Sequence, residues 1–490
     1  MLARLACRAR HAVWFAHEYF SDEFRRMKFT SRFQSISARA VLAAGVAALG
    51  GCTFYRAQPL TDSAVAASLQ APASDAVRVA AGKISHPLLK PLAIDGRDGF
   101  TPDEIALMTV VASPRLRATR DQRGVAQAQV VQAGLLPNPQ LGYSYDQQHG
   151  NDVADLVNGR SLGLSWDLSA LLAYRDHAAE AKSNAAALDL DLAWQEWQAA
   201  QAARLSAYRA LSLIDRIPLA RETEMDVADA LTLAKKAHAL GHKTTTDLIA
   251  ATEAWSAAQD ARLALEQELT AQQLALRLGL GLAADASLKL KDAPIPSLPA
   301  GSDQSAALLD GLEKRRLDLV ALTLGYESAD AALRAAVKAQ FPHIGISFAH
   351  ATDTSDVHTR SFGATIDLPL FDRGHAQVAA GVATRQQLFD EYVARVVEAR
   401  GEVAQILANL VVVRTQLATL ETELPDLVAQ DAALAQSMKT RNADAQAVRD
   451  AHAALLARRA EQAKLKQDVL ELGVALELAT GRPLLSPGAN

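Results

Sequence analysis

The sequence predicts a mostly α-helical chain with a small β part, and three observations carry that reading. Half of the 490 residues are hydrophobic but only 5% are aromatic. Ala supplies much of the apolar count beside abundant Leu, Gln, Glu and Arg, a composition that favours long helices over strands. The helical run stops at "GLLPNPQLGYSYDQQHG" (134–150) and again at "QFPHIGISFAHATD" (340–353), where prolines end the helix and an alternating stretch follows. Finally, the second half of the chain repeats the first.

The N-terminus has the pattern of a processed segment. In "MKFTSRFQSISARAVLAAGVAALGGC" (27–52), Lys28, Arg32 and Arg39 make a positive start, and Ala40 to Leu49 make an apolar stretch too short to span a bilayer as a helix. Leu49-Gly50-Gly51-Cys52 resembles the bacterial lipobox, in which the Cys becomes the lipid-bearing first residue. Residues 27–51 are thus expected to be a lipoprotein signal peptide and Cys52 its acylation site; an ordinary signal with a chance Cys is the alternative. Residues 1–26 fit poorly before such a signal, because "HEYFSDEF" is acidic where basic residues belong. Met27 is the expected start and 1–26 a mis-annotated extension. Residues 52–100 are expected to be an N-terminal linker.

The duplication appears when the sequence is slid against itself by about 200 residues. "GRSLGLSWDLSALL" (159–172) then meets "TRSFGATIDLPLFD" (359–372), matching Arg160-Ser161 to Arg360-Ser361, Gly163 to Gly363 and Asp167-Leu168 to Asp367-Leu368. A shift of about 205 brings Leu136-Pro137 onto Phe341-Pro342 and Tyr143 onto Phe348. The insertion falls in the connection between the two strands, where an exposed loop tolerates it. Each half therefore reads as a helix (about 101–135, then 303–340), a strand, a second strand (159–168, 359–368), a very long helix (173–240, 374–440) and a closing helix (243–282, 443–480). Pro218 and Pro425 are expected to kink or interrupt the long helices. The repeats span 101–290 and 305–482, joined by the Pro-rich linker "KDAPIPSLPAGSDQ" (291–304), with a tail at 483–490.

The strands have two unlike faces. Leu141, Tyr143 and Tyr145 alternate with Gly142, Ser144 and Asp146, and Leu162, Leu164 and Trp166 with Gly163, Ser165 and Asp167. Ile344, Ile346 and Phe348 alternate with small residues, and Phe362 and Ile366 do so less cleanly. One apolar aromatic face against one small polar face is the pattern of a membrane β-barrel, although a soluble sheet packed on helices would share it. The export signal favours the barrel, with Tyr143, Tyr145, Trp166, Phe348 and Phe362 facing lipid. Four strands close no barrel, so several chains would have to share one.

Nothing in the sequence calls for catalysis, a cofactor or nucleic acid. The net charge is -5 and no basic stripe stands out. No P-loop and no HExxH occur, and the two cysteines, Cys7 and Cys52, sit in no metal-binding pattern. His238 and His242 have the i, i+4 spacing of a metal pair, but Gly241 breaks the helix between them and no Cys or neighbouring acid completes a set. No metal site is expected there.

Together, "QAGLLPNPQL" and "IDLPLFDRG" resemble the paired signatures of the TolC-type outer-membrane efflux proteins, over nearly all of 100–482. Their spelling is closest to the branch serving cobalt-zinc-cadmium exporters. The resemblance implies a TolC-like trimeric channel: a homotrimer giving four strands per chain to a twelve-stranded barrel in outer-membrane lipid, with helices forming a periplasmic tunnel. Its implied partners are a periplasmic adaptor and an inner-membrane pump of the RND type. Its implied function is the exit duct of a tripartite efflux system for heavy-metal cations, or else a duct for drugs or type I protein secretion.

In that family the adaptor docks at two helix–helix turns. "LGHKTTTDL" matches the first, with Gly241, Thr244 and Asp247. "TRNADAQAV" (440–448) aligns with the second through Arg441, Asn442 and Asp444, but Arg441 replaces the usual Gly and Ala447 an acid. Aspartate rings narrow the family's tips, making Asp247 and Asp450 gate candidates. A helix-terminal charge stabilised by the helix dipole explains Asp247 equally well, and a plain surface carboxylate Asp450. Outside the family, a soluble coiled-coil scaffold accounts for Ala-rich helices but not for the Cys52 motif or the paired strands.

Overall fold

A computed structural model describes residues 55–68, 74–149, 156–291, 302–440 and 444–484. The chain divides into two units, 1–68 and 69–490. In the first, helix α1 (Asp62–Ser68) follows Thr61, whose hydroxyl accepts from the Ala64 amide at 3.3 Å. Cys52 and the expected signal peptide at 27–51 lie outside the described residues, as does most of the Pro-rich linker.

The second unit opens with α2 (Ser74–Ala81). Much of the expected linker is packed here. Leu89 and Ile94 are buried in a cluster with Leu107, Val110, Trp194 and Trp197, and His86 Nε2 lies 2.9 Å from the Ala193 carbonyl. The apolar residues of "ISHPLLKPLAI" give this stretch a reason to dock that its prolines conceal.

The expected helix over 101–135 is three helices, α3 (Pro102–Ala112), α4 (Pro114–Arg120) and α5 (Gln122–Ala133). Thr101 and Glu104 form a reciprocal capping box that starts α3, with Pro102 in the first turn, where its missing N–H costs nothing. Pro114 then ends α3 and opens α4, because the residue before a proline is driven out of the helical region. Strands β1 (Gln140–Asp146) and β2 (Gly159–Asp167) follow, then α6 (Ala170–Ala239) and α7 (Thr245–Gly279).

In the second half, α8 (Ser302–Leu309), α9 (Leu312–Arg315) and α10 (Leu317–Lys338) replace the single helix expected over 303–340. The first break falls at Gly311, in the left-handed region at φ +62°, and the second at Arg316, which is extended. Strands β3 (Ile344–Thr352) and β4 (His358–Ile366) and helices α11 (His375–Lys439) and α12 (Ala445–Thr480) complete the chain.

Neither Pro218 nor Pro425 interrupts its helix; α6 runs for 70 residues and α11 for 65. At 1.5 Å per residue each is roughly 100 Å long. A proline removes one backbone hydrogen bond, and here packing spans the gap. Leu213 and Ile217 are buried before Pro218, and Leu420 and Leu424 before Pro425.

Helix α6 is the hub of this unit, packing against α3, α5, α7, α10 and α12, while α11 packs on α10 and α12. Trp194, Trp197, Ala200, Ala203, Ala207, Ala210 and Leu213 recur at three- and four-residue spacing along its buried side. Small side chains let neighbouring helices approach closely. The core also holds charge: Arg204 is buried between Asp103, at 2.6 Å, and Glu477, which has no exposed surface.

Candidate functional site

The four strands form one antiparallel sheet in the order β1-β2-β3-β4. Directly paired residues share a face, so the register decides what each face carries. Successive rows on one face are Tyr145, Arg160, Thr352, His358; then Tyr143, Leu162, His350, Arg360; then Leu141, Leu164, Phe348, Phe362. Below these come Trp166, Ile346, Ala364, and finally Ile344 with Ile366. The other face carries Gly142, Gly163, Ala349 and Ser361 in one row and Ser144, Ser161, Ala351 and Thr359 in the next. All five residues expected to face lipid therefore lie on one face. Tyr143, Tyr145, Phe348 and Phe362 are exposed on it, whereas Trp166 is half-buried and donates its indole N–H to the Pro137 carbonyl at 2.8 Å.

The second hairpin repeats the register of the first. Tyr143 pairs with Leu162, and their counterparts in the repeat, Phe348 and Phe362, pair with each other. The motif residues secure the feet of the sheet. Gly134 and the Leu136-Pro137 pair carry the chain from α5 into β1, and the Tyr174 hydroxyl donates to the Gly134 carbonyl at 2.8 Å. In "PLFDRG", Asp372 accepts from the Gly374 amide at 2.9 Å, and Gly374 adopts φ +68° to begin α11. Only glycine takes that conformation without strain.

One G-x-S-x-G spelling, Gly159-Arg160-Ser161-Leu162-Gly163, escapes the motif reading above. Ser161 lies inside β2, paired with Ser144 and Ala351. A nucleophile elbow needs a strand-to-helix turn, so this spelling belongs to the sheet.

At the first turn, α6 ends at Leu240 and Gly241 takes φ +73°. His238 Nδ1 lies 3.0 Å from the Lys243 carbonyl, tying the turn to its helix. The Asp247 carboxylate accepts from the Thr244 amide at 2.9 Å and hydroxyl at 2.8 Å, while Thr244 accepts from the Asp247 amide. The backbone bond first, and the hydroxyl second, hold the Asp247 carboxyl below its ordinary range. Asp247 is thus a capping-box residue whatever else it does.

At the second turn, Arg441 and Asn442 lie outside the described residues. Asp444 caps α12 by accepting from the Gln446 amide at 3.2 Å. Asp450 is exposed and accepts from the Gln446 side-chain amide at 2.8 Å.

Two turns into α12 is a charged cluster that sequence reading missed. His452 Nε2 lies 3.3 Å from Glu222 and 3.5 Å from Asp226, both on α6, and Nδ1 lies 3.3 Å from Asp431 on α11. Burial lowers the pKa of His452, but the bond to Asp431 and the charges of Asp226, Asp431 and Glu222 outweigh it, leaving it above the usual imidazole value. Burial and the neighbouring Glu222, Asp229 and Asp431 raise Asp226 against the pull of His452.

Among known proteins, residues 308–482 match the family described as outer membrane efflux protein. That segment contains β3, β4, α11 and α12, the second of the two repeats. The fold as a whole is that of solved channels. CusC is 20% identical, covering 82% of this chain and 98% of that one with a TM-score of 0.62. The outer membrane protein VceC of Vibrio cholerae is 19% identical over 78% and 96%, at 0.61. The MtrE outer membrane channel of Neisseria gonorrhoeae, solved in its open state, is 16% identical over 88% and 99%, at 0.59. No curated protein matches the chain.

Proposed function

We propose that three copies of this chain close their sheets into a twelve-stranded outer-membrane barrel, continued by the helices as a periplasmic tunnel, and that the assembly is the exit duct of a tripartite export system. The carrying observation is the sheet itself: an apolar face held in register across four strands, with β1 and β4 open at its edges. Open edges expose unpaired backbone groups, which a bilayer does not tolerate. An even number of antiparallel strands lets β4 of one copy pair antiparallel with β1 of the next. Two copies would make an eight-stranded barrel, whose interior is just wide enough for side chains to fill. The Gly, Ser, Ala and Thr of the second face are too small for that and suit a wider, water-filled lumen.

The long helices support the same reading. α11 is the one helix among the described residues long and apolar enough to cross a membrane. Its exposed Val393, Val397, Val411 and Val412 find cover against a neighbouring copy in a helical tunnel. Detergent-solubilised protein should have the mass of three chains and form conducting pores in planar bilayers. A monomer that stays in solution without detergent would instead support a scaffold.

Three finer assignments go with this reading. Cys52 is the acylated first residue, so Cys52→Ser should abolish lipid labelling of the mature chain; a mature N-terminus elsewhere without lipid would refute it. The turns at Gly241, Thr244 and Asp247 and at Arg441, Asn442 and Asp444 dock a periplasmic adaptor coupled to an RND-type pump. The cargo, from the spelling of the two motifs, is heavy-metal cations. Cells lacking the chain should then accumulate cobalt, zinc or cadmium; accumulation of drugs or retention of a secreted protein instead would reassign the duct.

A further inference from the structure

On the face proposed to meet lipid, every strong cation lies at one end. Arg160 and His358 stand in the row nearest the loops, and His350 and Arg360 in the next. The rows below, through Phe348 and Phe362 to Ile344 and Ile366, are apolar. His350 and His358 stack with ring centroids 6.4 Å apart, and the Thr352 hydroxyl lies 2.9 Å from His358 Nδ1, which holds that ring in place. All four basic side chains are exposed, and neither arginine forms an ion pair among the described residues. The strand acids at this end and at the foot, Asp146 and Asp167, lie on the opposite face, paired with Gly159 and Gly345. Tyr143 and Tyr145 flank the basic rows, and Trp166 marks the other margin of the apolar band. This places aromatic side chains at both margins, as interfacial belts require.

We propose that Arg160, Arg360, His350 and His358 form a rim that binds phosphate-bearing lipid head groups at the outer margin of the barrel. The inference rests on the barrel reading above, which turns this face outward. Along β4 the apolar rows run from Phe362 to Ile366, about 13 Å at the usual strand rise. Exposed Leu368, Leu370 and Phe371 extend the apolar stretch beyond the sheet, so the basic rows stand at its loop end, where the head groups lie in the barrel reading. The arginines are spaced diagonally across β2 and β4, with His350 between them on β3 and His358 beside Arg360 on β4. Guanidinium groups present paired N–H donors that match phosphate oxygens, and the apolar rows directly beneath receive the acyl chains of the same lipid. A lipid binds both parts of the surface; inorganic phosphate binds only the first.

The test uses the full chain reconstituted into vesicles of phosphatidylcholine, alone or mixed with phosphatidic acid, with co-purifying lipid measured by mass spectrometry. Wild-type protein should insert into both and carry phosphatidic acid in excess of its bulk share. Arg160→Gln with Arg360→Gln should insert equally well into neutral vesicles but lose that enrichment, by roughly fivefold for each arginine removed. The double lysine variant should keep most of it, and Asp146→Asn on the other face should not reduce it. Undiminished enrichment in the double Gln variant would overturn the rim. Displacement of the lipid by equimolar inorganic phosphate would also overturn it, showing a site for free anion. Failure of wild-type protein to insert even into neutral vesicles would remove the barrel reading itself, a result separable from either.

Discussion

Phe348 and Phe362 face each other across β3 and β4 with ring centroids 5.0 Å apart, at the position where Tyr143 faces Leu162 across β1 and β2. Both pairs project from the apolar face, and both hairpins are locked in one register. A one-residue slip would turn every side chain to the opposite face. Lysine at position 348, within the apolar rows, should therefore cost ~2–4 kcal/mol of barrel stability and lower the yield of assembled trimer. Lysine at position 144, on the small polar face, should not. Equal yields from the two variants, read by heat-dependent gel mobility, would contradict the assigned orientation.

The carboxylates around His452 give stability a pH dependence. The folded imidazole titrates above its unfolded value of about 6.5. Its contribution is therefore fully present below that pH and is lost as pH rises through the higher folded value. Raised Asp226 acts in the same direction, beginning from the ordinary carboxylate range. Hydrogen exchange at the start of α12 should quicken as pH rises above about 6.5 by more than the intrinsic base catalysis explains. In His452→Gln the excess should shrink markedly; an excess of the same size in the variant would assign it to other groups.

Arg204 is buried against Glu477 and Asp103, and Gln201 donates to Glu477 at 3.0 Å. Removing the cation alone leaves buried carboxylate charge uncompensated. Arg204→Ala should destabilise the fold by ~3–5 kcal/mol, visible as a lowered thermal midpoint in detergent, with Glu477→Gln in the same background recovering part of the loss. An unshifted midpoint in Arg204→Ala would mean that the cluster contributes nothing.

The proposed gate is tested by conductance. Three-fold symmetry would convert Asp247 and Asp450 into rings of carboxylates, whose potential favours cations and whose oxygens bind polyvalent ions. Asp450→Ala should lower cation preference and weaken block by added polyvalent cations, and Asp247→Ala should deepen both effects. Asp247→Ala also removes a helix cap worth ~1 kcal/mol, so the first turn of α7 should fray in that variant alone. Unchanged selectivity and block in the double variant would reduce both residues to cap and surface charge.

How legible this molecule is depends on the range of the interaction. The strands could be read because alternation and proline punctuation are local, and the duplication because two copies of one motif lie within one sequence. The breaks at Ser113-Pro114 and Gly311 were harder, since helical composition continues across them. Pro218 and Pro425 do not interrupt their helices, because buried Leu213 and Ile217, and Leu420 and Leu424, hold the turns before them in place. The packing of Leu89 and Ile94 onto Trp194, and the meeting of His452 with Glu222 and Asp431, involve partners far apart in sequence. No spacing rule reveals them. The helix-terminal place of Asp247 was visible in the sequence, whereas its reciprocal hydrogen bonds with Thr244 depend on the local geometry of the turn.

The two hairpins share a register, yet their outer connections differ: residues 147–158 join β1 to β2, while only 353–357 join β3 to β4. In a closed ring of three chains, long and short loops would alternate six times around the mouth. The wall would be nearly six-fold symmetric, while the surface presented outside the cell would be only three-fold. An antibody raised against the long connection would then count chains, three per particle, and a tag inserted there would label one hairpin in two without disturbing the pairing that holds the wall together.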